Sequence, residues 1–131
     1  MRRVSKKRAA RNAEAKPILD ALIARVGRCE VCPRDHRQVR SGWIRWRLDV
    51  HHIARGSHRE KALDKPFAVL VVCWVCHERI HFGTGWPQAR QLAILKRKRP
   101  KDYDLDAFNR LIGSGPNRIT QEEVDQWQNE P

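Results

Sequence analysis

The sequence predicts a small α+β domain whose modest core is supplemented by bound metal. Three observations carry this. Two Cys-x-x-Cys pairs, Cys29/Cys32 and Cys73/Cys76, are set well apart. Two runs with strand patterning flank a polar loop, and helical patterns surround them. The chain has 131 residues, of which 32% are charged and only 7% aromatic, so its apolar content builds one marginal core.

The charge narrows the function. The net charge is +12 and the pI about 10.4, a balance that suits a polyanionic partner, with a merely solubilising surface as the bland alternative. No apolar segment of signal-peptide type follows the basic start. The longest apolar run, 67–76, is too short to span a bilayer. A cytoplasmic, reduced protein is expected, with no membrane partner and with thiols that bind metal.

In chain order, 1–16 reads as a basic flexible arm with Arg2, Arg3, Lys6, Lys7, Arg8, Arg11 and Lys16 against Glu14 alone, suited to phosphate. A helix is expected over 17–26, with Pro17 at its first position, Ile18, Leu19, Leu22, Ile23 and Val26 as its stripe and Gly27 as its stop. Residues 29–33 form a knuckle and 43–53 alternate as a strand. A loop over 54–66 leads to a buried strand over 67–72. Helices are expected over 74–82, ended by Gly83, and over 86–99, ended by Pro100. Asp104 caps a short helix to Leu111, and Thr120 with Glu123 forms a capping box for a last helix to about Trp127. The segment 100–131 is an acidic helical extension, expected to pack back on the domain or meet a protein partner.

The two Cys pairs read as one four-thiolate structural zinc site. His77 and His81 stand one turn apart on a helix face. His51 and His52 are neighbours on a strand and point to opposite faces. They can serve one site only where the strand ends or bends, and Gly56 lies just beyond.

Together, Cys29-Glu-Val-Cys32, His51-His52-Ile53, the buried strand and Cys73-Trp-Val-Cys76-His77-Glu-Arg-Ile-His81 resemble the HNH endonuclease family, in the zinc-stabilised form frequent in phages and mobile elements. The resemblance covers 29–82. It implies a ββα-metal, treble-clef-like zinc core within a nuclease domain over 17–99. The hairpin would come from 46–53 and 67–72, the helix from 74–82. It also implies that His52 is the general base and that His51, His77 and His81 hold a divalent ion (Mg²⁺, Mn²⁺ or Zn²⁺). DNA would then be cut to 5′-phosphate and 3′-hydroxyl ends, in the host cytoplasm for a phage protein. The family's middle Asn is Ala68 here, which leaves weak catalysis, a substitute brace such as Asp64, or lost activity.

Arg45, Arg47, Arg55, Arg59, Lys61, Lys96, Arg97, Lys98 and Arg99 are the expected DNA contacts, mostly to phosphates. Two rivals stand beside this reading. His77-Glu78-Arg79-Ile80-His81 fits a zinc metalloprotease helix with Glu78 as base and Asp102 or Asp104 as third ligand. A non-catalytic zinc DNA-binding module would share the four cysteines and the charge, but leaves the histidines unexplained.

Overall fold

Among the described residues the two expected strands pair in one antiparallel ladder, and six helices pack around it. In a computed structural model, residues 6–32, 47–113, 115–116 and 118–129 are described. Among them the order is α1 (Lys6–Val26), β1 (Leu48–His52), α2 (Ser57–Lys61), a 3₁₀ turn (Pro66–Ala68), β2 (Val69–Cys73), α3 (Trp74–Phe82), α4 (Gln88–Lys98), α5 (Leu105–Ile112) and α6 (Gln121–Asp125). No helix among these residues is long and apolar enough to cross a membrane.

Register sorts the side chains. Leu48 pairs with Cys73, Val50 with Val71, His51 with Leu70 and His52 with Val69. Val50, Val69 and Val71 face one side and pack on Leu22 of α1, with Leu19, Ile23 and Val26 around it. Leu70 and Val72 face the other side and join the main core of α3, α4, α5 and α6, built on Ile80, Leu92, Leu95, Phe108 and Val124. β2 is buried on both faces, which explains its unbroken apolar run.

Several expectations are corrected. The first helix begins at Lys6, not Pro17, so from Lys6 onward the expected arm is helix. Alanine, lysine and arginine favour helix strongly enough to carry it through Pro17, which lacks one backbone donor. Helix α2 lies where a loop was expected. Phe67 and Ala68 belong to the 3₁₀ turn, and β2 starts at Val69. The part of the first expected strand before Arg47 lies outside the described residues, as does Arg45.

The capping signals are realised. Asp104 Oδ1 accepts from the Ala107 N–H at 3.0 Å. Thr120 and Glu123 exchange both bonds of a capping box. Gly83 ends α3 in a place where any Cβ would collide with the Arg79 carbonyl.

The acidic C-terminal segment packs back on the domain. Phe108, Ile112, Ile119 and Val124 are buried in the main core. Lys96 Nζ lies 3.4 Å from Asp125, and Arg97 Nη1 donates to the Trp127 carbonyl at 3.0 Å. These two members of the basic run thus turn toward α6 and the residues after it.

Arg99 corrects the expectation of a phosphate contact more sharply, because it is only 7% exposed. Its guanidinium donates to Glu30 at 2.8 and 3.2 Å, to the Val69 carbonyl at 2.6 Å, to the Pro66 carbonyl at 3.1 Å and to Asp102 at 2.9 Å. Glu30 sits between Cys29 and Cys32. Its Oε1 accepts from the Val71 N–H at 2.8 Å, and its own N–H donates to the Val71 carbonyl at 2.8 Å. Asp102 also accepts from Arg25 of α1 at 2.7 Å. Arg99→Leu would leave the Glu30 carboxylate buried without its cation. We expect it to cost about 3–5 kcal/mol of folding stability in chemical denaturation, whereas Lys98→Leu on the exposed side of α4 changes stability little.

Candidate metal centres

Two ligand clusters meet at α3. The first holds Cys29, Cys32, Cys73 and Cys76, the second His51, His77 and His81, and within each the ligand atoms all lie within 4.8 Å of one another.

The cysteine cluster is closed. Cys29, Cys73 and Cys76 are at most 2% exposed, and all four thiols are free of disulfides. The knuckle brings the Cys32 N–H to 3.5 Å from Cys29 Sγ. Cys32 and Cys73 sulfurs stand 3.8 Å apart. Four thiolates about 2.3 Å from a tetrahedral ion would have sulfur–sulfur edges of about 3.8 Å, so this spacing suits such an ion. The acidities agree. The Cys29 thiol is pulled down chiefly by its hydrogen bond with Cys76, and that same bond pushes the Cys76 thiol up. Four sulfurs this close share negative charge poorly without a cation among them.

The histidine cluster is open on one side. The ring centroids of His51, His77 and His81 are 4.8 to 5.4 Å apart. His51 is 6% exposed, while His81 is exposed. Second partners select the ring atoms. Gln91, 1% exposed, donates its amide to the Trp86 carbonyl at 3.0 Å, so its Oε1 is an acceptor. His51 Nε2 lies 2.8 Å from that oxygen and therefore carries the proton. His51 Nδ1 is then a lone pair that is buried without a hydrogen-bond partner. His58 Nδ1, outside the cluster, is also buried without a hydrogen-bond partner. A buried, unpartnered imidazole nitrogen beside two further imidazoles fits a metal ligand. His77 Nδ1 lies 3.3 Å from Asp49 Oδ2, which leaves Nε2 for an ion. That contact is the main reason Asp49 is held below the usual carboxylate range.

His52 is placed apart from the three ligands but in the same cleft, which Arg55 and Arg59 also line. β1 ends at His52 and the chain bends at Ile53 and Ala54, so both neighbouring histidines reach one site. His52 Nε2 lies 3.0 Å from the Leu63 carbonyl and donates to it, leaving Nδ1 as a lone pair. Burial lowers the His52 pKa, with the Leu63 carbonyl opposing and Arg59 adding to the fall.

Other expected residues scatter. Arg47 and Lys61 are exposed, and Lys98 is exposed on α4. Asp64 pairs with its neighbour Lys65 at 3.6 Å and does not brace the histidine loop. The loop is closed instead by backbone, Ile53 N–H to the Ala68 carbonyl at 2.9 Å, and by Gln88 Nε2 to the Ile53 carbonyl at 3.1 Å. Neither acid expected as third ligand of the protease pattern reaches His77 and His81. Asp102 is engaged by Arg25 and Arg99, Asp104 caps α5, and the residue that joins His77 and His81 is His51.

Asp49, Gln88 and Gln91 escaped the sequence reading. Asp49 was within reach of it, since residues two apart on a strand share a face with His51. Gln91 was also signalled, as a polar residue beside Leu92 and Leu95 on a helix that buries its apolar side. Comparison with family models, curated proteins and solved structures yields no match for this chain.

Two outcomes follow for the histidine cluster. Gln91→Leu frees the His51 ring to turn. Metal affinity there should fall about 10–100-fold in chelator competition while the cysteine cluster keeps its ion. Burial, the larger cause, lowers the His51 pKa to about 4, with Gln91 opposing. His81 is lowered too. A lowered imidazole pKa means the ligand form persists below the ordinary value of about 6.5. The contribution of His51 to metal affinity, read as the loss on His51→Ala in chelator competition, should therefore persist at pH 6 and fade as pH approaches about 4.

Proposed function

We propose that this chain is a metal-dependent endonuclease of the HNH type that hydrolyses DNA phosphodiester bonds, with a zinc ion in the four-cysteine cluster as its structural support. The observation that carries the reading is the convergence of four histidines, three of them held by different partners, on one open cleft flanked by two arginines. The order β1, β2, α3 and the placement of both clusters on α3 are those the resemblance implies. The +12 charge suits a polyanionic substrate.

In this reading His51, His77 and His81 hold a divalent ion. Three imidazoles suit zinc, nickel or cobalt better than magnesium, which prefers oxygen ligands. When bound, the ion supplies positive charge against the phosphate and the departing 3′-oxygen. His52 Nδ1 accepts a proton from water as its oxygen attacks phosphorus. The bond from phosphorus to the 3′-oxygen breaks and that oxygen takes a proton from solvent water, leaving 5′-phosphate and 3′-hydroxyl ends. The Leu63 carbonyl fixes the His52 ring and its tautomer. Its lowered pKa keeps the imidazole neutral at pH 7, as a base must be. Arg55 and Arg59 bind flanking phosphate oxygens. The loop bonds from Ala68 and Gln88 take the place of the missing Asn brace.

Nicking of supercoiled plasmid by metal-loaded protein tests this. We expect His52→Ala to slow nicking about 10²–10⁴-fold with DNA binding retained. Protein loaded at both clusters that binds DNA but never nicks it, with zinc, nickel, cobalt, manganese or magnesium, would instead be a zinc-stabilised DNA-binding module.

A further inference from the structure

A second groove adjoins the histidine cleft. It runs between the first half of α1 and α2, and Arg8, Arg11, Asn12, Arg59, Glu60 and Leu63 are among its walls. Two of these tie it to the cleft. Arg59 lines both, and Leu63 supplies the carbonyl that holds His52. Arg8, Arg11 and Asn12 share one face of α1, at helical spacings of three and four.

Among the described residues, the Glu60 carboxylate lies against this basic wall. Glu60 Oε2 accepts from Arg11 Nη1 at 3.0 Å, and Arg8 Nε lies 4.0 Å from Oε1. All three side chains are about half exposed. Ion pairs so exposed contribute little to stability, so the fold has little need of this one. One carboxylate held between two guanidiniums has the chemistry of a phosphate group in the same place.

We infer that this groove binds the sugar-phosphate backbone of DNA flanking the cut, with Glu60 occupying the phosphate position until DNA displaces it. The inference rests on the endonuclease reading for the direction of the strand, from the histidine cleft over Arg59 to α1. It makes the first half of α1 a binding element that carries no sequence information. It also makes Glu60 a built-in competitor, so removing the acid and removing the bases act in opposite directions.

The test uses full-length protein with His52→Ala to block cleavage, a labelled DNA duplex and a salt series read by fluorescence anisotropy. Arg8→Ala with Arg11→Ala should lower the slope of log affinity against log salt by about 2, since each lost phosphate contact removes about 0.9. Glu60→Gln should tighten binding several-fold at low salt. Inorganic phosphate should not compete at concentrations comparable to the duplex, which separates backbone binding from capture of a free anion. An unchanged slope in the double variant, or binding unchanged or weakened by Glu60→Gln, overturns the groove. Plasmid nicking by the protein without the His52 change is read separately. Nicking with an unaltered slope sinks the groove alone. Absence of nicking with the expected slope changes sinks the endonuclease reading alone. Absence of DNA binding sinks both.

Discussion

The buried guanidinium of Arg99 joins parts of the chain that have little else in common. It reaches the first cysteine knuckle through Glu30, the start of β2 through the Val69 carbonyl, the turn before it through Pro66, and α1 through Asp102 and Arg25. Burying an ion pair is costly in itself, and it is tolerated here because nearly every donor and acceptor is matched. What the network supplies is position. Glu30 meets the Val71 backbone with its own N–H and with its side-chain carboxylate, so the knuckle docks on β2. That docking places Cys29 and Cys32 beside Cys73 and Cys76.

The two clusters use the same helix differently. Cys73 caps the start of α3 and closes a cage that water hardly enters. His77 and His81 face an open cleft, His81 exposed and His52 on the same wall. A closed tetrahedral thiolate set is the form of a structural ion, and an incomplete imidazole set with open access is the form of a reactive one. Asp49 and Gln91 come from different elements, β1 and α4, so the imidazoles are set from two sides.

Much of this was legible in the sequence because short spacings constrain geometry directly. Cys-x-x-Cys and His-x-x-x-His bring their ligands together whatever surrounds them, and the caps at Asp104 and Thr120 mark helix starts by local bonds alone. The rest depended on contacts between distant residues. A basic run at a helix end looks the same whether its last arginine is solvated or buried, and nothing near Arg99 announces Glu30. Pro17 pointed to a helix start because proline suits that position, yet the alanine-rich residues before it extend the helix. Gln91 stood out only as a polar residue among apolar neighbours, and what it touches was set by packing.

The nine residues of α3 impose a length rule on the chain. Each residue added to a helix turns everything beyond it by about 100° and advances it about 1.5 Å. One residue inserted between Cys76 and His77 would leave the cysteine cage whole while swinging both imidazoles off the cleft. One inserted between Cys73 and Cys76 would spoil the cage instead. Insertions at 64–65 or at 83–87, between α3 and α4, meet turns that can absorb them. Length variation among descendants of this sequence should therefore collect on either side of α3 and spare the helix itself.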